Sequence, residues 1–366
     1  MFLGIDVGTS SVKAVLIDEN DKLVAQGSGA LTVERPHALW SQQDPDSWWK
    51  ATVEAVRALP ENHRRAVKAI GLSGQMHGAT LLDAADKPLR PAILWNDGRS
   101  EAECAELEQR EPKSRAITGN LAMPGFTAPK LVWVEKHEPE IFAKVKTVLL
   151  PKDYVRLKLT GTKASDMSDA AGTLWLDVAK RDWSDEMLAA THLTRSHMPQ
   201  AVEGNAATGT VLPAVAKELG IPEVVVAGGG GDNAASAVGL GVVRTGDAFL
   251  SLGTSGVLFA VTDKFRPNAE RAAHAFCHAI PGQWHQMAVI LSAAANLDWI
   301  RDLCGFKDIP DVFTSAEARG YSKDTPIFLP YLSGERTPHN DPTARGVFFG
   351  LGAATEKADL ANAVME

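Results

Sequence analysis

Cysteine is scarce. Cys104, Cys277 and Cys304 are the whole supply, an odd and scattered set with no CxxC spacing. That pattern excludes a disulfide framework and a cysteine-based zinc site, and it makes a reducing cytoplasm the expected compartment. A basic block is also lacking, since the formal net charge is −8. Bulk electrostatics therefore offer no surface for nucleic acid, and any anionic ligand must be held by a local site. No stretch approaches the roughly 18 uninterrupted apolar residues of a spanning helix, and no basic segment precedes an apolar run at the N-terminus. Neither membrane insertion nor export is indicated. Low-complexity tracts are missing too, and 45% hydrophobic against 22% charged residues is the balance of an ordinary folded protein.

What is present is a repeat. Asp6-Val-Gly-Thr-Ser-Ser-Val-Lys-Ala-Val-Leu-Ile17 returns as Ser251-Leu-Gly-Thr-Ser-Gly-Val-Leu-Phe-Ala-Val-Thr262, identical at Gly8/Gly253, Thr9/Thr254, Ser10/Ser255 and Val12/Val257. In each copy an apolar strand enters Gly-Thr-Ser and a second apolar strand leaves it, which predicts a β-hairpin with a small-residue tip. Such tips let backbone N–H groups approach an anion closely, and two of them suit the two ends of a polyphosphate. At 366 residues the chain exceeds one core, so two domains are expected. The boundary falls near Thr245, giving domains 1–245 and 246–366 with a cleft between them.

The rest of the chain alternates strand and helix signals. Residues 2–17 read as two strands and Leu23–Gln26 as a third, while Asp44-Pro45-Asp46 opens a helix carrying Trp48, Trp49, Val53, Val56 and Leu59 at helical spacing. Val67–Leu72 reads as a buried strand leading to Ser73-Gly-Gln-Met-His-Gly78, and Pro91–Asp97 as a strand before a charged helix at Arg99–Arg110. Pro151–Thr160 is predicted helical, Glu223–Ala227 a strand, Gly228–Gly231 a turn, and Asp232 the first residue of a small-residue helix.

Several side chains at these strand ends have the right chemistry for phosphoryl transfer. Asp6, just before the first tip, suits Mg²⁺ while Gly8, Thr9 and Ser10 cradle phosphate; capping a turn is its plainer alternative. Asp232 follows a glycine run at a helix N-terminus, where a carboxylate can orient a substrate hydroxyl; an idle N-cap is the competing reading. Asp6 and Asp232 are thus the candidate metal-associated carboxylates, with Asn233 beside them. Gln75, Met76 and His77 offer amide, thioether and imidazole to a polyol, and Trp95 and Asp97 offer an indole face and a carboxylate to a sugar. Lys13 is within reach of a phosphate, against which stands a solvated surface lysine. Gly253 and Thr254 form the second phosphate tip, and Trp48, Trp49, Trp175 and Trp183 are assigned to packing.

These residues resemble a family, the FGGY carbohydrate kinases. Gly4-Ile-Asp-Val-Gly-Thr-Ser10 and Leu250-Ser-Leu-Gly-Thr-Ser255 are similar to its two phosphate motifs, and Gly125-Phe-Thr-Ala-Pro-Lys-Leu-Val-Trp-Val134 to its N-terminal-domain signature. Within it, Gly74-Gln-Met-His-Gly78, Leu94-Trp-Asn-Asp-Gly-Arg99, Gly229-Gly-Gly-Asp-Asn233 and Tyr331-Leu-Ser-Gly-Glu-Arg-Thr-Pro338 resemble the motifs of members that act on D-xylulose. Glycerol-specific members carry arginine and glutamate where Met76 and His77 stand. The resemblance implies an α/β fold of two actin-like (ribonuclease H-like) ATPase domains and ATP- and Mg²⁺-dependent conversion of D-xylulose to D-xylulose 5-phosphate. It further implies Asp232 as base and Met76 and His77 as sugar contacts. Another ketose or polyol, or sugar binding without transfer, are the alternatives, and a homodimer is left open. Gly346-Val-Phe-Phe-Gly-Leu…Asp359-Leu-Ala-Asn-Ala-Val-Met-Glu366 resembles the C-terminal-domain signature, where the sequence stops; the expectation is an incomplete second domain.

Overall fold

The computed structural model describes residues 1–366. The chain divides into two compact units: residues 1–246 with 261–267 and 275–285, and residues 247–260 with 268–274 and 286–366.

The first unit is built on a seven-stranded mixed sheet. Alternation dictates its centre: Leu3, Ile5 and Val7 of the Phe2–Val7 strand and Val12, Ala14 and Leu16 of the Ser11–Ile17 strand all point into the core. Each such leucine, isoleucine or valine contributes about 1.5–3 kcal/mol by leaving water. The two strands pair antiparallel, with Asp6 opposite Lys13 and Val7 opposite Val12. Leu23–Ala30 continues the meander. On its other side Phe2–Val7 pairs in parallel with Ala69–Gly74, which in turn pairs in parallel with Val225–Ala227 and with the two-residue strand Gly230–Gly231. The Pro45–Arg57 helix covers one face, its N-cap Asp44 accepting the Asp46 N–H at 3.0 Å and its Trp48, Ala51, Ala55 and Val56 buried in the core. Trp175 and Trp183 are likewise buried, at 1% and 6% exposure.

The parallel strands decide where chemistry gathers. Phe2–Val7, Ala69–Gly74 and Gly230–Gly231 run in the same direction. Their C-terminal ends therefore deliver Asp6 with the Gly8-Thr9-Ser10 tip, Gln75-Met76-His77, and Asp232 to one edge of one sheet, as in open α/β sheets that bind ligands at carboxyl ends. Expected elements differ in extent, two of them in kind. The Pro91–Asp97 strand shrinks to Ala92–Ile93, because Trp95-Asn96 turns, and the glycine turn contributes a short strand of its own.

In the second unit the Ala248–Leu252 and Gly256–Thr262 strands form the expected hairpin, with Ser251 opposite Val257. Helices Ala295–Cys304, Ile309–Arg319 and Lys357–Met365 pack around Ile300, Phe306, Val312, Ala316 and Ala361. Arg319 clamps Asp359 through two hydrogen bonds of 2.7 and 3.0 Å. No helix is long and apolar enough to cross a membrane.

Candidate active site

The first tip is fixed by side chains rather than by its backbone alone. Gly8 N–H donates to Ser11 O at 3.1 Å to close the turn. Gln75 donates to Gly8 O at 3.2 Å and accepts the Thr9 hydroxyl at 3.1 Å, while Gln43 donates to Thr9 O at 2.7 Å. The Trp95 indole N–H reaches Thr9 Oγ1 at 3.0 Å, leaving its ring 46% exposed. Gln75 is thus buried in the scaffold of the tip, and Trp95 is the ring that faces outward. Lys13 is exposed on the neighbouring strand, in register with Asp6. The second tip is one residue shorter. Val7 opposite Val12 encloses Gly8–Ser11, whereas Leu252 opposite Gly256 encloses Gly253–Ser255, and Gly253 N–H closes on Ser255 O at 3.0 Å. The Ala293 and Ala294 N–H groups hold Thr254 O and Gly253 O at 2.9 and 2.8 Å.

Asp232 opens the Asp232–Gly239 helix. Its Oδ1 accepts both the backbone N–H of Asn233 at 2.7 Å and the Asn233 Nδ2–H at 3.0 Å, which leaves Oδ2 to meet a hydroxyl. Asn233 therefore serves Asp232 directly. The residue keeps solvent contact yet stands amid dense protein, and the resulting desolvation, with repulsion from Asp6, pushes its carboxyl up to about 6 against the lowering effect of Asn233. A carboxyl poised there is ionised at neutral pH and more basic than an ordinary aspartate. The helix-dipole lowering expected from position alone is outweighed.

The glycine run before Asp232 has a packing cause. A Cβ at Gly228 would lie 2.3 Å from Glu203 O, one at Gly229 would lie 2.0 Å from Leu72 O, and Gly229 adopts φ +79°. At Gly231 it would strike Met76 Cγ and Sδ, both at 2.9 Å. Close approach of protein to protein, rather than of ligand to backbone, accounts for these glycines.

Met76 is 7% exposed and packs on Gly231. His77 adopts φ +69°, a left-handed conformation, and Nδ1 lies 2.6 Å from Gly172 O. A carbonyl only accepts, so the neutral ring carries its proton on Nδ1 and presents Nε2 as an acceptor. Phe126 packs edge-on against it at 4.9 Å. The buried Lys130 ammonium donates to His77 O at 2.8 Å and to Gly125 O at 2.7 Å, and burial pushes it down to about 7. Asp97, expected as a sugar carboxylate, is 2% exposed: it binds Arg99 through both oxygens at 2.8–3.0 Å, and Ser41 N–H at 2.5 Å. Arg99 in turn stacks on Trp40 at 3.7 Å.

Sequence reasoning passed over a buried charge cluster beneath this site. Lys152 contacts Asp153, Asp166 and Asp169 at 2.8, 2.6 and 2.9 Å, with Arg156 3.9 Å from Asp153 and every side chain fully buried. Burial raises the Asp169 carboxyl far above the usual range, with Asp153 and Asp166 adding to it. Three carboxyls face two cations, and a protonated Asp169 evens the count. The signal was available: Lys152, Asp153 and Arg156 sit among apolar Leu149-Leu150, Val155 and Leu157 in a helix start, and Asp166 and Asp169 recur at helical spacing.

A mixed α/β sheet that carries a small-residue hairpin tip, and gathers two mutually repelling carboxylates at its carboxyl edge, is the arrangement of a phosphotransferase of the actin-like ATPase fold. The chain belongs to the FGGY family of carbohydrate kinases: residues 1–239 match the family's N-terminal domain and residues 248–366 its C-terminal domain. It is 59% identical to the xylulose kinase of Escherichia coli K12 over 367 aligned residues, covering 100% of this chain and 76% of that one. A solved structure described as a "xyloylose kinase" from Brucella ovis superposes with TM-score 0.94 at 53% identity, again covering 100% and 76% of the two chains. A gluconate kinase from Lactobacillus acidophilus superposes with TM-score 0.93 at 26% identity, with 100% and 75% covered.

Proposed function

We propose that this carbohydrate kinase transfers the terminal phosphoryl group of ATP to D-xylulose, giving D-xylulose 5-phosphate in the cytoplasm. The observation that carries the reading is Asp232, a carboxyl raised to about 6 with one oxygen tied by Asn233 and the other open. Backbone similarity does not choose the sugar, because a gluconate kinase matches almost as well as a xylulose kinase. The higher identity to xylulose kinases, together with Met76 and His77 at the sheet edge, favours xylulose.

In this mechanism Asp232 Oδ2 accepts the proton of the terminal sugar hydroxyl as that oxygen bonds to the γ-phosphorus and the bond to ADP breaks. His77 Nε2 accepts a second sugar hydroxyl, Met76 provides an apolar wall, and the outward Trp95 face covers sugar C–H groups. Asp97 acts through Arg99 and the Ser41 backbone to hold the Trp95 loop. Gly8, Thr9 and Ser10, with Lys13 beside them, receive phosphate, and Gly253 and Thr254 are a second set of phosphate donors. No group of three or more His, Cys, Asp or Glu side chains is placed to hold a metal. Asp6 and Asp232, whose charges repel, nevertheless suit Mg²⁺, which commonly takes one or two carboxylates along with phosphate and water oxygens. When bound, the cation would neutralise phosphate charge.

The test is phosphorylation of D-xylulose, ribulose, fuculose, gluconate and glycerol by the purified protein. A preference for D-xylulose by at least tenfold in kcat/KM is expected, and a better substrate among the others would overturn the assignment.

A further inference from the structure

Both ends of the glycine run are held from below by buried side chains. Arg156 donates to Ala227 O at 2.7 Å and to Gly228 O, with Thr208 Oγ1 as a third partner at 2.5 Å. At the other end Gly231 N–H donates to Ser168 Oγ at 3.0 Å. Ser168 Oγ–H in turn donates to Asp166 Oδ1 at 2.5 Å, and Asp166 Oδ2 meets the Lys152 ammonium at 2.6 Å. The direction of this chain is forced. Lys152 has only donors, so Asp166 must accept from both sides, and the Ser168 hydroxyl, having given its proton to Asp166, can offer Gly231 only a lone pair.

Asp166 also caps its own short helix, accepting Ser168 N–H at 2.9 Å and Asp169 N–H at 3.2 Å. That would account for Asp166 alone. It does not account for a 1% exposed serine hydroxyl turned away from its helix onto the residue preceding Asp232. The same segment reaches the acceptor side of the site four residues later, where Gly172 O holds His77 Nδ1. Gly172 has no room for a side chain, since a Cβ there would lie 2.5 Å from His77 Cε1 and 2.8 Å from Met76 Cε. One stretch, residues 166–172, thus touches the backbone of Gly231, the residue before Asp232, at one end and the His77 imidazole at the other.

We propose that Ser168, anchored through Asp166 on the buried Lys152, is a positioning residue that fixes the Asp232 carboxylate relative to His77. This rests on the reading of Asp232 as the base. Glycines supply no side-chain packing to stiffen the Ala227–Gly231 connection, so its geometry depends on what grips the main chain. Misplacing a base by about 1 Å can cost up to a hundredfold in rate, whereas sugar binding draws on other contacts.

The experiment compares wild type, Ser168→Ala, Ser168→Thr, Asp232→Ala and the Ser168→Ala/Asp232→Ala double variant as full chains. Ser168→Ala should lower kcat about tenfold and leave the KM for D-xylulose within about twofold. Ser168→Thr, which keeps the hydroxyl, should recover most of kcat. In the Asp232→Ala background the serine change should alter the residual rate by less than about twofold, because its route of action is gone. Hydrogen-exchange mass spectrometry gives a readout independent of turnover: protection of the peptide spanning residues 229–233 should fall in Ser168→Ala. An unchanged kcat, unchanged protection, or a loss of kcat that tracks a rise in KM and a fall in Tm would each overturn the positioning role. A wild type that phosphorylates no sugar, yet loses 229–233 protection in Ser168→Ala, would overturn the functional reading instead.

Discussion

Lowering the pH through 6 should switch off transfer by protonating a single side chain. Asp232 is raised from 3.8 to about 6 by desolvation and by Asp6, so kcat/KM should be level above pH 7 and fall about tenfold for each unit below 6. Two substitutions move the limb in opposite directions. Asp6→Asn removes a repelling charge and shifts it to lower pH, while Asn233→Ala removes the side-chain amide donor to the carboxylate, keeping the backbone N–H, and shifts it higher. Stability follows the same shift. For an acid whose folded pKa is raised, stabilisation is complete below the unfolded value and is lost as the pH rises through the folded one. A rise of this size corresponds to about 3 kcal/mol, but Asp232 is exposed, and screening brings the cost of its charge to on the order of 1 kcal/mol. Asp232→Asn should therefore be inactive yet more stable than wild type by that amount at pH 8, with the gain fading toward pH 4. Initial-rate assays across pH and urea unfolding of the two proteins measure both. A limb near pH 4, or an Asp232→Asn variant retaining a tenth of the turnover, would refute the reasoning.

Gly231→Ala should displace Met76, whose Cγ and Sδ would lie 2.9 Å from the new methyl; the expected result is a rise of about tenfold in sugar KM with a stability loss of about 1–3 kcal/mol, read by kinetics and urea unfolding. Arg156→Met leaves Asp153 short of a partner and frees two backbone carbonyls, so it should destabilise by about 3–5 kcal/mol, measured by denaturant midpoint. Arg99→Lys forfeits the bidentate grip on Asp97 and the Trp40 stack. It should cost about 1–3 kcal/mol and loosen Trp95, visible as altered indole fluorescence. Lys130→Met removes the donor to His77 O, and sugar KM should rise with little change in the KM for ATP.

Periodicity made much of the fold legible. The strand alternation at Leu3-Ile5-Val7, the capped helix after Asp44 and the duplicated Gly-Thr-Ser tips are local patterns, so no tertiary information was needed to read them. Asp6 and Asp232 stand out as candidates for the same reason, each sitting where a strand or glycine run ends. Roles proved harder than positions. Gln75 belongs to the scaffold of the first tip because Thr9, 66 residues away along the chain, claims it, and Asp97 is consumed by Arg99 together with the Ser41 N–H, 56 residues away. The glycine run, read as a turn, owes its glycines to the close approach of Leu72 O, Glu203 O and Met76. Nothing local to residues 228–231 announces that.

What the sequence alone determined is the catalogue of chemistry: which carboxylates follow which strands, and that two Gly-Thr-Ser hairpin tips exist. These are set by short-range pattern and residue type. Tertiary structure decided the electrostatics. Asp232 acquires its raised pKa only because folding surrounds it with protein and brings Asp6 close. Lys152, Asp166 and Ser168 become a support for it only because the sheet and two helices bury them together. Desolvation and charge proximity depend on distance in space, which a linear chain does not display.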